Sequence, residues 1–267
     1  GMHKEKSRLS PRDDKTNPNG EDSLRGKVRQ MEELFKGTKI EWELVFVSHV
    51  KSPDNSGKVV EDLLKQYYPE YYKARQVRSI YMTGSVLGKG GKMAFGAKDA
   101  LDDRKGHSPS DVVIYTDTDM TVDLRQTGWM LDKMVDDKGD LKDVAVMGSR
   151  PRFTFPPLPP HDDEQVINDA STGIRKRFFT QEPVLNGISD TQMGYKAYPA
   201  HILKKILSDS KDTAWTFDTE WQTFALRLGC SLVKFTNLWS NSAEESSTNP
   251  KMRWEMLKTW AEQDRNI

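Results

Sequence analysis

The stretch Val112-Val113-Ile114-Tyr115-Thr116-Asp117-Thr118-Asp119 decides how the chain is read. Val112 to Tyr115 is a continuous apolar run, the pattern of a strand buried on both faces of a parallel sheet. Two carboxylates at i and i+2 follow immediately, beyond the strand end, where open α/β sheets hold their ligands. Asp117 and Asp119 are therefore candidate ligands for a hard divalent cation, Mg²⁺ or Mn²⁺, whose shell is completed by water and substrate phosphates. A solvated acidic loop carries the same letters, and only the preceding strand favours the metal.

Working upstream, Leu24, Val28, Met31, Leu34 and Phe35 recur at helical spacing behind Glu21-Asp22-Ser23, and Gly37 stops the helix. Leu44 to Val47 reads as a strand, and Ser52-Pro53-Asp54-Asn55-Ser56-Gly57 as a turn into a helix with Val60, Leu63 and Leu64 inward. Val77 to Met82 is a further strand, and Gly88-Lys89-Gly90-Gly91 leads into a helix carrying Met93, Ala97 and Leu101. Downstream, Leu124 to Val135 reads as a helix and Val144 to Met147 as a strand. Val166, Ile167, Ala170, Ile174 and Phe178 mark another helix. This alternation predicts an α/β domain, a mostly parallel sheet flanked by helices. One domain over 24–267 is expected, behind a flexible polar tail, 1–23, with only Met2 and Leu9 to bury.

Composition narrows the function classes. Forty basic residues balance forty acidic ones, so no nucleic-acid partner is expected. A single Cys excludes an internal disulfide and makes a reducing, cytoplasmic setting the expectation. Mean hydropathy is −0.74, and no run approaches the roughly 20 apolar residues of a membrane span. Trp254, Leu257 and Ala261 among Lys251, Arg253 and Lys258 suit an interfacial helix in peripheral membrane contact. Packing of that face on the domain explains the same pattern.

Four other clusters carry chemistry. Gly88-Lys89-Gly90-Gly91-Lys92 sets glycines and a lysine before a helix, as an anion cradle or as a plain Gly-rich turn without Walker A spacing. Gly148-Ser149-Arg150 puts an arginine at a strand end, on phosphate or on the surface. Asp190-Thr191-Gln192-Met193-Gly194-Tyr195-Lys196 and Phe217-Asp218-Thr219-Glu220 place acids beside apolar groups that shift pKa values. Phe217, Trp221, Phe224, Ala225 and Leu228 read as a core-facing helix, for which Asp218 is equally an N-terminal acid.

In this order, and with Trp42-Glu43-Leu44-Val45-Phe46-Val47, Ser52 to Ser56 and Trp239, these motifs resemble family 2 glycosyltransferases of the GT-A fold. The resemblance is to the polyprenyl-phosphate type, such as dolichyl-phosphate β-glucosyltransferases. It implies a metal-dependent inverting transferase that moves a sugar from a UDP- or GDP-linked donor to a polyprenyl phosphate. Under it, Asp117 and Asp119 hold Mg²⁺ or Mn²⁺, and Lys89, Gly90, Asp54 and Arg150 line the nucleotide and its phosphates. Asp190 faces the transferred sugar or the acceptor oxygen, Arg150 faces phosphate, and Lys196 lies on the acceptor side.

The chain also departs from that pattern. Family members open with a mid-sheet strand ending in a Pro-x-Tyr-Asn-Glu-like segment, whereas a polar tail precedes the first helix here. Where two aspartates normally follow the next strand, this chain has Ser48-His49-Val50-Lys51. Weak donor binding and self-association through an exposed sheet edge are therefore expected. Two alternatives stay open: the same donor with a soluble or polysaccharide acceptor, and a catalytically impaired GT-A-like binding domain.

Overall fold

The computed structural model describes residues 2, 5–12, 15, 21–84, 88–102, 110–149 and 190–238. A short helix α1 (Lys6–Leu9) precedes α2 (Ser23–Phe35), whose apolar stripe of Leu24, Val28, Met31 and Phe35 is buried. Then come β1 (Leu44–His49), α3 (Ser56–Tyr67), the single turn α4 (Pro69–Lys73), and β2 (Val77–Met82). They are followed by α5 (Lys89–Asp102), β3 (Val112–Thr116), α6 (Thr127–Met134) and β4 (Val144–Ser149). The described chain closes with β5 (Tyr195–Pro199), α7 (Ala200–Asp209), α8 (Phe217–Arg227) and β6 (Ser231–Thr236).

Among the described residues the strands form two sheets. β1 and β2 pair in parallel, with Leu44 opposite Val77. The other sheet runs β3-β5-β4-β6. β5 is antiparallel to both neighbours, while β4 and β6 are parallel. Thus β3, β4 and β6 share one direction and only β5 is reversed, which makes the strands mostly parallel, as expected. Alternation along β5 divides the core. Tyr195 and Ala197 pack with Met31, Phe35, Met130 and Met134 of α2 and α6, whereas Tyr198 packs with Met93, Leu203 and Trp221 of α5, α7 and α8. A third cluster joins β1 and β2 to α2 and α3 through Phe46, Val77, Leu24, Val28, Val60 and Leu64.

Several elements differ from the sequence expectation. The helix expected over 124–135 begins as a 3₁₀ turn, Leu124–Gln126, because the Asp123 carboxylate accepts the Arg125 N–H at 2.9 Å and caps a tight first turn. The helix expected around 166–178 lies outside the described residues. The segment read as a flexible tail contributes packed residues: Met2 and Leu9 are buried in the third cluster. Its backbone is anchored as well, with Met2 N–H donating to Val47 O at 2.7 Å and Glu5 N–H to Ser56 Oγ at 3.0 Å. Two apolar side chains cannot make a core alone, but each gains about 1.5–3 kcal/mol by docking on one already formed. Among the described residues no helix is long and apolar enough to cross a membrane.

Leu9→Ala is expected to lower unfolding stability by about 2–5 kcal/mol in urea titrations, the cost of a fully buried leucine. An unchanged midpoint would return residues 2–9 to the status of a tail.

Candidate active site

The site is built where β3 ends. Asp117 N–H donates to Gly194 O at 3.2 Å, extending the β3–β5 ladder by one step and fixing the carboxylate over the start of β5. Gly194 is required there, since a Cβ on it would lie 2.2 Å from Asp117 Oδ2. Lys89 Nζ, from the first residue of α5, lies 2.6 Å from Asp117 Oδ1. Burial pushes the Asp117 carboxyl up, but the Lys89 cation overrides this and holds it below the usual range. Burial likewise works to lower Lys89, and Asp117 with Asp218 overrides it and raises the ammonium. Asp119 turns inward differently: its Oδ1 accepts from Thr121 N–H at 3.2 Å and Thr121 Oγ1 at 2.5 Å. Its Oδ2 lies 4.0 Å from Arg8 Nη1.

Lys27 is the residue that sequence reasoning missed. It is 2% exposed on α2, and its Nζ has no hydrogen-bond partner. Burial drives its ammonium below the ordinary range, opposed by Asp119, then Asp117, Glu21 and Asp123. The signal was available, because Lys27 lies three residues after Leu24 and four before Met31, on the apolar stripe itself. A desolvated cation beside two acids is a standing place for an anion.

Three expected site residues have other partners. Lys196, expected on the acceptor side, is wholly buried in β5, where its Nζ donates to Asp218 and, at 2.5 Å, to Met193 O. Tyr115 Oη donates to the same Asp218 oxygen. Burial lowers the Lys196 ammonium and pushes the Tyr115 hydroxyl well up. Gly90 is not an anion cradle, since its N–H donates to Ala214 O at 2.7 Å and that of Gly91 to Thr213 O at 2.9 Å. A Cβ at Gly90 would meet Phe217 Cβ at 2.8 Å, so the glycine serves close packing. Asp54 is engaged at the start of α3, accepting from Ser52 Oγ at 2.8 Å, Ser56 Oγ at 2.5 Å and Lys6 N–H at 2.9 Å. Burial raises its carboxyl, and those donors together carry it below the usual range.

Asp190 is half-buried just ahead of Gly194, and its charge weakly opposes the burial that lowers Lys196. Arg150, Trp239 and the basic C-terminal stretch lie outside the described residues. Ser48 and His49 are buried, and Ser48 Oγ and His49 Nε2 have no partner. His49 Nδ1 accepts the Lys51 N–H at 2.9 Å, so neither residue stands open as a nucleoside contact.

Among the described residues no three His, Cys, Asp or Glu side chains gather as a self-sufficient metal cage. Asp117 and Asp119 could offer carboxylate oxygens to one hard cation if diphosphate and water completed its shell, with Lys89 and the charge of Lys27 acting on the same acids.

Comparison with known proteins bears on the frame around this site. The crystal structure of glucosyl-3-phosphoglycerate synthase from Mycobacterium tuberculosis superposes with a TM-score of 0.50 at 12% identity, covering 90% of this chain and 85% of that one. The fold is GT-A-like. A structure of the same enzyme with Mn²⁺, UDP-glucose and glycerol 3-phosphate gives a TM-score of 0.47 at 14% identity, over 89% and 83% of the two chains. In sequence, the chain is 24% identical over 187 residues to Glycosyltransferase AglD of Haloferax volcanii, a match covering 67% of this chain. The match spans 27% of that relative's length. No family model matches. In GT-A-like terms, Asp117 and Asp119 sit where the sheet opens at the end of β3.

Lys27→Met is expected to stabilise the protein by about 1–3 kcal/mol at neutral pH, because a buried unpaired donor is removed. The lowered folded value means the unfolded chain binds more protons as pH climbs toward about 10.4, so wild-type stability rises there. The advantage of the variant must therefore shrink over that window in paired denaturation curves. A variant less stable than wild type at every pH would show that Lys27 is paired.

Proposed function

We propose that the chain is a glycosyltransferase domain that takes a nucleoside-diphosphate sugar, UDP- or GDP-linked, and passes the sugar to a polyprenyl phosphate. The observation that carries this is the pair Asp117 and Asp119 at the strand end, faced by a paired ammonium, Lys89, and an unpaired one, Lys27. Acids alone suit a cation and cations alone suit an anion; together they suit a metal-bridged diphosphate. The GT-A-like fold and the transferase identity of the weak relative support the same reading.

Asp117 and Asp119 hold Mg²⁺ or Mn²⁺ in this scheme, which when bound supplies neutralising charge on the departing diphosphate. Lys89 keeps Asp117 ionised and oriented, and Lys27 offers its ammonium to a phosphate oxygen. The acceptor oxygen forms its bond at C1 from the face opposite the donor, while the C1–O bond breaks and its electron pair leaves with the diphosphate. A single displacement inverts C1. A polyprenyl phosphate arrives ionised and needs no strong base, so Asp190 orients sugar hydroxyls; toward a hydroxyl acceptor the same carboxylate takes the proton. The polyprenyl acceptor rests on the ordered motifs of the sequence. The burial of Ser48 and His49 favours a second reading, a domain with weak donor binding.

Calorimetry with UDP and with GDP is expected to show at least about tenfold tighter binding when Mn²⁺ is present, about 1.4 kcal/mol, and Asp117→Ala is expected to erase that increment. Equal affinity with and without metal would remove the metal assignment.

Asp190→Asn is expected to cost about 100-fold or more in turnover with a hydroxyl acceptor, yet leave partial activity with a phosphate acceptor. Full activity toward both would make Asp190 structural.

A further inference from the structure

The loop joining α7 to α8 is tied down along its length. Glu220 accepts from Ser210 Oγ at 2.6 Å, Lys211 N–H at 3.0 Å and Asp212 N–H at 3.1 Å. Asp212 accepts from Ala214 N–H at 2.6 Å and from Thr216 Oγ1. Thr213 O and Ala214 O in turn receive the N–H groups of Gly91 and Gly90, at the start of α5. This loop carries one large apolar side chain, Trp215.

Trp215 stays out of the core that its neighbours fill. Phe217 and Trp221 are buried in the cluster that joins α5, α7 and α8, whereas Trp215 is half-buried and belongs to none of the three clusters. Its indole lies against Lys89, whose Nζ is 5.7 Å from the ring centre. The same ammonium is 2.6 Å from Asp117 Oδ1, so one side chain links the indole to the acid at the end of β3. Among the described residues the indole Nε1–H has no hydrogen-bond partner. The loop that carries Asp190 packs on the same helix, α8, where Gln222 Nε2 donates to Thr191 O at 3.2 Å.

We infer that Trp215 is a sugar platform, its indole receiving the C–H face of the donor's hexopyranose. This rests on the proposed donor chemistry and names what holds the sugar within it. A cation taken up by Asp117 competes with Lys89 for the same carboxylate, and the ammonium then follows the diphosphate, which uncovers the ring. The sugar is bonded directly to that diphosphate, so it arrives beside Asp117, where the indole stands. A pyranose has apolar C–H faces and a polar rim, and it needs a flat apolar surface for the first and hydrogen-bonding groups for the second. The indole supplies the surface, and its Nε1–H and the Asp190 carboxylate address the rim. Because the loop is clamped and an indole turns about only two side-chain bonds, little freedom is lost on stacking. A nucleobase also stacks on an indole, but it hangs from the far end of the diphosphate. A prenyl chain is a poorer occupant, since a hydrated ammonium borders the ring.

The test compares nucleotide with nucleotide sugar. Calorimetry of the full chain with UDP and UDP-glucose, and with GDP and GDP-mannose, is run in Mg²⁺ on wild type, Trp215→Leu and Trp215→Tyr. Trp215→Leu is expected to weaken the nucleotide-sugar complex about fivefold or more and to leave the nucleotide complex within about twofold, the loss of one stacked aromatic. Trp215→Tyr keeps a flat face and is expected to stay within about threefold of wild type for both. If the leucine variant fails to fold, saturation-transfer NMR on wild type decides: irradiation of the aromatic protons is expected to reach the pyranose C–H protons at least as strongly as the ribose, and transfer confined to the nucleoside would overturn the platform. Equal weakening of both complexes in Trp215→Leu would make Trp215 a support for Lys89, and no change in either would make it a bystander; both results overturn the inference. Failure of wild type to bind any of the four nucleotides would remove the donor reading itself, and the platform with it.

Discussion

A lysine with no exposed surface on a strand buried along its whole length is the constraint on which the rest depends. Lys196 is the second residue of β5, between β3 and β4, and leaving its ammonium unpaired there would cost several kcal/mol. Asp218 must therefore come to it, which sets the first turn of α8 against the sheet. Tyr115 donates to the same carboxylate, which ties the residue two before Asp117 to that turn. The position of Asp117 is thus fixed from behind by a network that never meets solvent. Such a network is weak evidence for net stability, but it penalises any register in which the three groups part.

The charge pattern in front of that network follows from where α5 starts. Gly88 and Gly90 allow the backbone of 213–214 to approach closer than any Cβ would permit, and their neighbour Lys89 is carried to Asp117 as a consequence. The glycines act through packing and the lysine through charge. Asp117 and Asp119 are answered by Lys89, by Arg8 at 4.0 Å and by the unpartnered Lys27. Three cations stand against these two acids, and one of them, Arg8, is shared with Glu5 and Glu21. A cation entering between the acids leaves the ammonium groups free for an anion that comes with it, which is the electrostatic logic of a metal diphosphate.

Much of this was legible in the residues. Val77 to Met82, the strand before Asp117, and the helices opening at Ser23, Ser56, Lys89 and Phe217 all follow from apolar period and Gly or Ser punctuation. What stayed hidden has a common cause. β5 reads Tyr-Lys-Ala-Tyr-Pro, and a lysine at its second position looks solvated until its partner 22 residues away is known. Lys27 hides in the same way, as a charge on a helix stripe that sequence rules assign to the core. Asp54 was the converse: its place in a polar turn suggested a ligand, and the turn's own serines occupy it. Sequence pattern reports periodicity well and pairing over long separations poorly, and the site is made of such pairs.

The segment before α2 bears on the donor side through free energy rather than through missing acids alone. Its backbone bonds to Asp54, Ser56 and Val47, and Met2 and Leu9 fill the cluster beside β1. In the proposed reading, Ser48 and His49 stand where the resembled family has two aspartates, and charge-assisted contacts worth about 1.5–3 kcal/mol each are absent. If the proposed nucleoside sits over that end of β1, it must also displace a segment held by about 1.5–3 kcal/mol for each of its two apolar anchors. Every 1.4 kcal/mol of that displacement lowers the apparent affinity tenfold. The two effects act in the same direction, so under the proposed function ordinary donor affinity requires the phosphate side, through Lys27, Lys89 and the acid pair, to contribute more than the nucleoside does.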